Sequence, residues 1–237
     1  MLLVKEQNQL FNSFPPEEWK RLLLHFTLVD MELGMVLYEP GVKMTHVFFP
    51  ATAIVSLLYG LENGASAEIA IVGNEGLVGI SIFMGGETST SRAVVQSAGF
   101  GYKIKSSILL DEFNRSGPVM HLLLHYTQAL ISQMTQTAVC NRHHSLDQQL
   151  CRWLLLSADR LTGNELIMTQ ELIANMLGVR REGVTEAATK LQKAGLIKYA
   201  RGHITLLNRT GLEQRSCECY KVVKKEYDRL LPNCIAT

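Results

Sequence analysis

The stretch Thr169–Gln192, TQELIANMLGVRREGVTEAATKLQ, decides the architecture. It holds two short apolar rhythms separated by Gly178, and just past that glycine Arg180, Arg181, Glu182 and Glu186 crowd into seven residues. Two crossing helices need apolar side chains where they meet, a small residue where they cross, and between them a residue that accepts the left-handed region. Ile173 and Leu177 supply the first helix, and Ala174 permits close approach. Gly178 makes the turn, and Val179, Val184, Ala187 and Leu191 supply the inner face of the second helix. Thr169 is placed to cap the first. The spacing predicts a helix-turn-helix.

Gly195 ends the second helix, and LIKYARGHITLL (Leu196–Leu207) reads as two short strands around Ala200–His203, carrying Lys198, Arg201 and His203. A helix-turn-helix backed by a basic hairpin is a winged helix. Its second helix enters the DNA major groove, while the hairpin and the first-helix cap approach phosphates. Charge segregation agrees. Residues 1–115 hold 8 basic and 12 acidic side chains, net −4, whereas residues 178–209 hold 7 basic and 2 acidic, net +5, in a chain of overall charge +1. A local basic patch on a neutral protein implies a polyanionic partner for that segment. The competing reading is an αα-hairpin for protein contacts, in which wing and charge pattern would both be coincidences.

The 237 residues exceed one compact domain, and 47% are apolar, ample for packed cores. The start of the chain lacks a secretory pattern, and no apolar run approaches the ~20 residues of a membrane span. Five cysteines, an odd count, fit reduced thiols in the cytoplasm rather than a disulfide framework.

FPPEEWKRLLLHF (Phe14–Phe26) reads as a helix, with Pro16 and two glutamates in its first turn. From residue 34 to 105, short β-rich runs (GMVLYEPG, HVFFPATAIVSLLYGL, SAEIAIVG, RAVVQSAGFGYKIK) are punctuated by Gly, Pro and Asn, predicting a small antiparallel sandwich or barrel. Ser106–Gly117 reads as a short helix ended by Gly117. Pro118–His144 reads as a long one with Val119, Leu123, Tyr126, Leu130, Met134 and Thr137 along one stripe. That stripe packs either on a second copy in a two-fold dimer or on the sandwich of the same chain. Ser145 caps a further helix with Leu146, Leu150, Trp153, Leu154 and Leu156 on its apolar face, and TGNEL (Thr162–Leu166) reads as a loop.

This order of elements resembles the Crp/Fnr family of bacterial transcription regulators over essentially the whole chain. The most specific match is Met168–Gln170 followed by ELIANMLGVRREGVTEAATKLQKAGLI. VLYEPG and VFFPATAIVSLL are similar to the family's effector-binding roll. The resemblance implies an α+β fold: an N-terminal antiparallel β-roll of the cyclic-nucleotide-binding kind at residues 1–117, a dimerisation helix at 118–144, and a C-terminal winged helix at 145–237. It implies a homodimer on double-stranded DNA, acting on RNA polymerase, with no membrane and no catalysis. The family's base-reading positions fall on Arg181, Glu182 and Glu186. Arg181 suits guanine O6 and N7, and Glu182 suits cytosine N4. Glu186 departs from the usual Arg, and Arg180 stands where a Ser or Thr cap is common and is expected on phosphate. Thr169, Thr185, Arg201 and His203 complete the DNA-binding candidates.

The effector is less legible, and the sequence names no cofactor. A cyclic-nucleotide pocket in this family uses a Gly-Glu pair for the ribose, and Arg followed by a small residue for the phosphate. Gly79 is present, but Ile80 stands where Glu is needed, and Arg92-Ala93 falls about three residues late by the family's pattern. Cyclic AMP is therefore not the expected effector, and Glu75, Gly76, Gly79 and Arg92 are left as candidate ligand contacts. The family's iron–sulfur members carry an N-terminal cysteine cluster, whereas the first cysteine here is Cys140. Cys217-x-Cys219 with Cys234 could oxidise or bind a metal, and His121 with His125 on one helix face could hold a haem or metal, but both are short patterns and no metal ligand is assigned from them. A metal enzyme of cupin type would need His and Glu clustered on the strands, where His46 stands alone. A regulatory module that meets a protein rather than DNA is the alternative function.

Overall fold

The computed structural model describes residues 5–62, 64–161 and 163–231. The chain opens with α1 (Gln9–Ser13), capped by Asn8, and α2 (Pro16–Leu23), with Pro16 in its first turn. Phe11 lies at the centre of an aromatic cluster, its ring centroid 4.8–6.0 Å from those of Phe14, Trp19, Phe26, Phe49 and Tyr102. Such rings bury large areas and gain further from tilted contacts.

Seven strands follow: β1 (Thr27–Met31), β2 (Val36–Tyr38), β3 (His46–Pro50), β4 (Ile54–Gly60), β5 (Ser66–Val72), β6 (Arg92–Ser97) and β7 (Gly99–Lys105). They form two antiparallel sheets, β1-β7-β3 and β2-β6-β4-β5, the expected roll. β1 lay outside the predicted runs. Its residues Thr27–Val29 are largely exposed, so no clean alternation marks it. Val47, Phe49, Val55, Leu57, Val72, Val95 and Ile104 point into one shared core.

α3 (Ser106–Asn114) leads to α4 (Pro118–His143), which has Pro118 in its first turn. The predicted stripe faces the same chain: Val119, Leu123, Tyr126 and Leu130 join the roll's core and Thr137 is buried. The outward face instead exposes Leu124, Ile131 and Val139. Two residues fasten α4 to the roll. Tyr126 Oη donates to Leu77 O at 2.8 Å, and a Cβ on Gly76 would lie 2.3 Å from the Tyr126 ring. Gln133 accepts from Ile71 N at 2.9 Å and donates to Ile71 O at 3.2 Å. β5 is an edge strand, so this amide replaces a missing neighbour.

Ser145 caps α5 (Leu146–Ala158) in a capping box with Gln148. The predicted apolar face is only part of the story, since α5 is buried from Gln149 to Ser157. Around it lie α6 (Gln170–Leu177), α7 (Arg181–Lys193), α8 (Arg209–Arg215), α9 (Glu218–Leu230) and the sheet β8-β10-β9 (Glu165–Ile167, His203–Leu206, Ile197–Ala200). β8 corrects the TGNEL loop, because Glu165–Ile167 pairs with Thr205–His203. Ile54 and Ile71 of the roll belong to this second core. Among the described residues no helix is long and apolar enough to cross a membrane.

Candidate nucleic-acid interface

Thr169 Oγ1 accepts from Leu172 N at 3.2 Å and starts α6. Gly178 ends it at φ 66°, ψ 34°, in the left-handed region. Ile173, Ala174, Met176 and Leu177 are buried against Val184, Ala187, Ala188 and Leu191. The opposite face of α7 is open: Arg181, Glu182, Thr185, Glu186 and Thr189 are exposed. Arg180 occupies the N-cap of α7 in extended conformation and makes no side-chain cap, leaving its guanidinium free to point outward.

The wing is β9 and β10, joined by Arg201 at φ 51° and Gly202 at φ 83°. Two successive positive φ values are those of a hairpin turn whose twist matches its strands. Met168 N donates to Gly202 O at 2.6 Å, tying the wing tip to the start of α6. The result is a cleft of about 250 Å³ lined by Thr169, Gln170, Arg181, Tyr199, Arg201 and Gly202. Thr169, Arg181 and Arg201 thus meet from three elements. Gln170 and Tyr199 were missed by the sequence reading. Gln170 accepts from Thr185 Oγ1 at 2.7 Å, and Tyr199 Oη donates to Met168 O at 2.9 Å. Gln170 stands in the Met168–Gln170 match, and Tyr199 lies between Lys198 and Ala200 on a wing strand.

Charge around the cleft is largely unspent. Among the described residues Arg180, Arg181, Lys193, Lys198 and Arg201 have no carboxylate within 4.0 Å. His203 Nδ1 lies 2.8 Å from Glu165 Oε1. Glu186 pairs with Lys190 one turn on at 2.9 Å, and that hydrogen bond holds its carboxyl below the usual range. Its charge is thereby offset within α7, although such an exposed pair adds little stability. Arg209 departs from the patch: it turns inward to Asp159, Glu213 and Tyr220.

The four candidate ligand contacts have separate partners. Glu75 Oε1 accepts from Arg160 Nε at 2.8 Å, both side chains buried. Gly76 O accepts from Asn8 Nδ2 at 2.9 Å, Gly79 lies against Val47, and Arg92 pairs with Glu39 at 3.1 Å on the surface. A cleft of about 340 Å³ elsewhere is lined by Asn74, Glu75, Asp159, Arg160, Lys224 and Tyr227 among others. His121 and His125 are exposed on α4, and Cys234 lies outside the described residues.

Comparison with known proteins bears on this arrangement. Residues 148–215 match the Crp-like helix-turn-helix domain. No curated protein matches the chain in sequence. Among solved structures, FixK2 from Bradyrhizobium japonicum superposes with TM-score 0.71 at 18% identity, over 81% of this chain and 98% of that one. A Eubacterium rectale chain described as a crp/fnr-family regulator gives 0.68 at 20% identity, over 88% and 97%. TTHB099, a CRP-family transcriptional regulator from Thermus thermophilus, gives 0.65 at 17%, over 79% and 96%. At these identities the likeness is one of fold. The Crp-like domain is the segment containing α6, α7 and the wing, and the chain as a whole carries the architecture of the Crp/Fnr transcription regulators.

Proposed function

We propose that the protein is a sequence-specific DNA-binding transcription regulator that acts as a homodimer rather than as a catalyst. The observation that carries this reading is the outward face of α7, with Arg181 and Glu182 exposed at its start beside cations that have no carboxylate within 4.0 Å among the described residues. In this reading Arg181 and Glu182 read base edges, and Thr185 and Glu186 follow one turn deeper in the groove. Thr169, Arg180, Arg201 and His203 position the protein on phosphates.

The dimer forms through residues 118–144, with Leu124, Ile131 and Val139 as the covered row. Two recognition helices then meet half-sites about 34–36 Å apart, one turn of the duplex. RNA polymerase is the partner at the promoter, and the cytoplasm the compartment. The effector is unknown, and cyclic AMP is not the expected one: Ile80 offers no acceptor for ribose hydroxyls, and Arg92 is paired with Glu39.

Titration of the purified protein against promoter-length duplexes at graded salt tests the reading. A regulator gives log affinity falling linearly with log salt, and a subset of sequences bound at least about 1000-fold above the rest. Binding that ignores DNA at low ionic strength would sink it in favour of a protein partner.

A further inference from the structure

Where the end of α4 reaches the start of α9, four metal-ligating side chains converge. The ligand atoms of Cys140, His144, Cys217 and Cys219 all lie within 4.8 Å of one another. We propose that these four side chains form a structural site for a soft divalent cation of the Zn²⁺ class, fastening the long helix to the C-terminal helix.

Spacing is the first support. Cys140 Sγ lies 3.5 Å from Cys217 Sγ, and Cys219 Sγ lies 3.4 Å from His144 Nδ1. A tetrahedral zinc with Zn–S of about 2.3 Å and Zn–N of about 2.0 Å sets sulfurs about 3.8 Å apart and sulfur from nitrogen about 3.5 Å. A disulfide would bring two sulfurs to about 2.05 Å. These two separations are close to those of neighbours around a shared ion, and the whole set of four ligand atoms falls within 4.8 Å.

The backbone presents the ligands in two pairs. Cys140 lies in the last turn of α4, and His144, four residues on, is its C-cap in extended conformation. Cys217 is the N-cap of α9, and Cys219 lies two residues on.

The surroundings are those of a ligand set. His144 turns Nδ1 to the sulfurs, and Glu218 Oε1 lies 3.4 Å from Nε2, placing a carboxylate beside the other ring nitrogen, where ligating imidazoles commonly have one. Gln136 Nε2 donates to Cys219 Sγ at 3.1 Å, a donor aimed at sulfur. Arg152 is buried, donates to Thr137 Oγ1 one turn before Cys140, and has no carboxylate within 4.0 Å among the described residues. A dication with three thiolates and a neutral imidazole carries one net negative charge, which this guanidinium offsets.

On loading, the cation displaces three thiol protons to solvent and no electron moves. Four protein ligands close the coordination sphere, as in structural rather than catalytic zinc sites.

The test uses the full chain, purified under reductant without chelator, with metal counted by mass spectrometry and the site probed with Co²⁺. Expected are about one Zn²⁺ per chain and, after exchange, the absorption of tetrahedral thiolate-bound Co²⁺. Cys217→Ser and His144→Ala should abolish or weaken that spectrum. Cys151→Ser, whose thiol is buried in the other core, should keep it. Chelator should lower the wild-type Tm by about 3 °C or more and leave Cys217→Ser unmoved. Free thiols with neither Zn²⁺ nor a Co²⁺ spectrum would overturn the site, as would a Cys140–Cys217 disulfide under the same conditions. If a variant fails to fold, the wild-type metal count and spectrum still decide. None of these readouts involves DNA, so the result stands apart from the regulator reading.

Discussion

Trp153 donates its indole Nε1–H to Glu68 Oε1 at 2.9 Å, so a helix of the C-terminal half is hydrogen-bonded to a carboxyl buried inside the roll. Ser56 Oγ lies 2.5 Å from both Glu68 Oε2 and Gln96 Oε1. One hydroxyl carries one proton for two acceptors. Ser56 Oγ donates toward the ionised Glu68 or toward Gln96, and protonating Glu68 would free that proton for Gln96. Burial raises Glu68 from 4.5 to about 7, against the opposing hydrogen bonds from Ser56 and Trp153 and the charges of Arg152 and Arg160.

The sign of the resulting pH dependence follows. Between pH 4.5 and about 7 the folded state holds a proton that the unfolded state has lost. Stability from this group is fully present below 4.5 and is lost as pH rises through about 7. Its contribution to the slope is at most about −1.4 kcal/mol per pH unit. Glu68→Gln keeps an acceptor for Trp153 and should flatten this window in urea unfolding followed across pH. An unchanged profile in the variant would contradict the assignment.

Glu75 and Arg160 form a second bridge. Glu75 Oε2 also accepts from Gly73 N at 3.0 Å, and Arg160 Nη1 donates to Leu156 O at 2.7 Å. Removing one partner leaves a buried charge alone, so Glu75→Ala should destabilise by about 3–5 kcal/mol. Glu75→Leu with Arg160→Met should cost clearly less than the two single changes together. Strict additivity in a double-mutant cycle would show that the ion pair is not coupled.

On DNA, Arg181 and Arg201 should behave differently. Arg181→Ala should lose about 1–3 kcal/mol on the preferred site and relax the choice at one base pair. Arg201→Ala should weaken all sequences alike and lower the salt slope by about 1. Gel-shift titrations on a specific and a scrambled duplex separate the two. Equal losses on both DNAs from both changes would refute the roles.

Leu124 and Ile131 lie seven residues apart and exposed on α4. Replacing both with Glu should convert a dimer to a monomer in sedimentation velocity and leave the Tm of the monomer's own cores nearly unchanged, since neither side chain is buried. A wild-type chain that sediments as a monomer at micromolar concentration would remove the dimer from the proposal.

Much of the DNA-facing half was legible because its signals are local. Gly178 must accept φ 66°, Thr169 caps within three residues, and Arg201-Gly202 turns a short hairpin. What escaped is set by residues far apart along the chain. The stripe of α4 was visible, but which neighbour covers it depends on where the roll sits. The buried pairing of Glu75 escaped because its partner Arg160 lies 85 residues away. Cys217-x-Cys219 looked weak for the same reason, with Cys140 and His144 lying 77 and 75 residues from their nearest sulfur neighbours. β8 has three residues and one buried side chain, too few for a periodicity.

Ile54 and Ile71 are strand residues whose side chains complete the hydrophobic interior of the opposite half. Cutting the chain after His143 would therefore strip two isoleucines of their cover on one fragment and leave a matching hole in the other. Neither piece should express as a well-behaved autonomous fragment, and truncation studies should graft apolar-to-polar replacements at both positions before interpreting a sensor half in isolation.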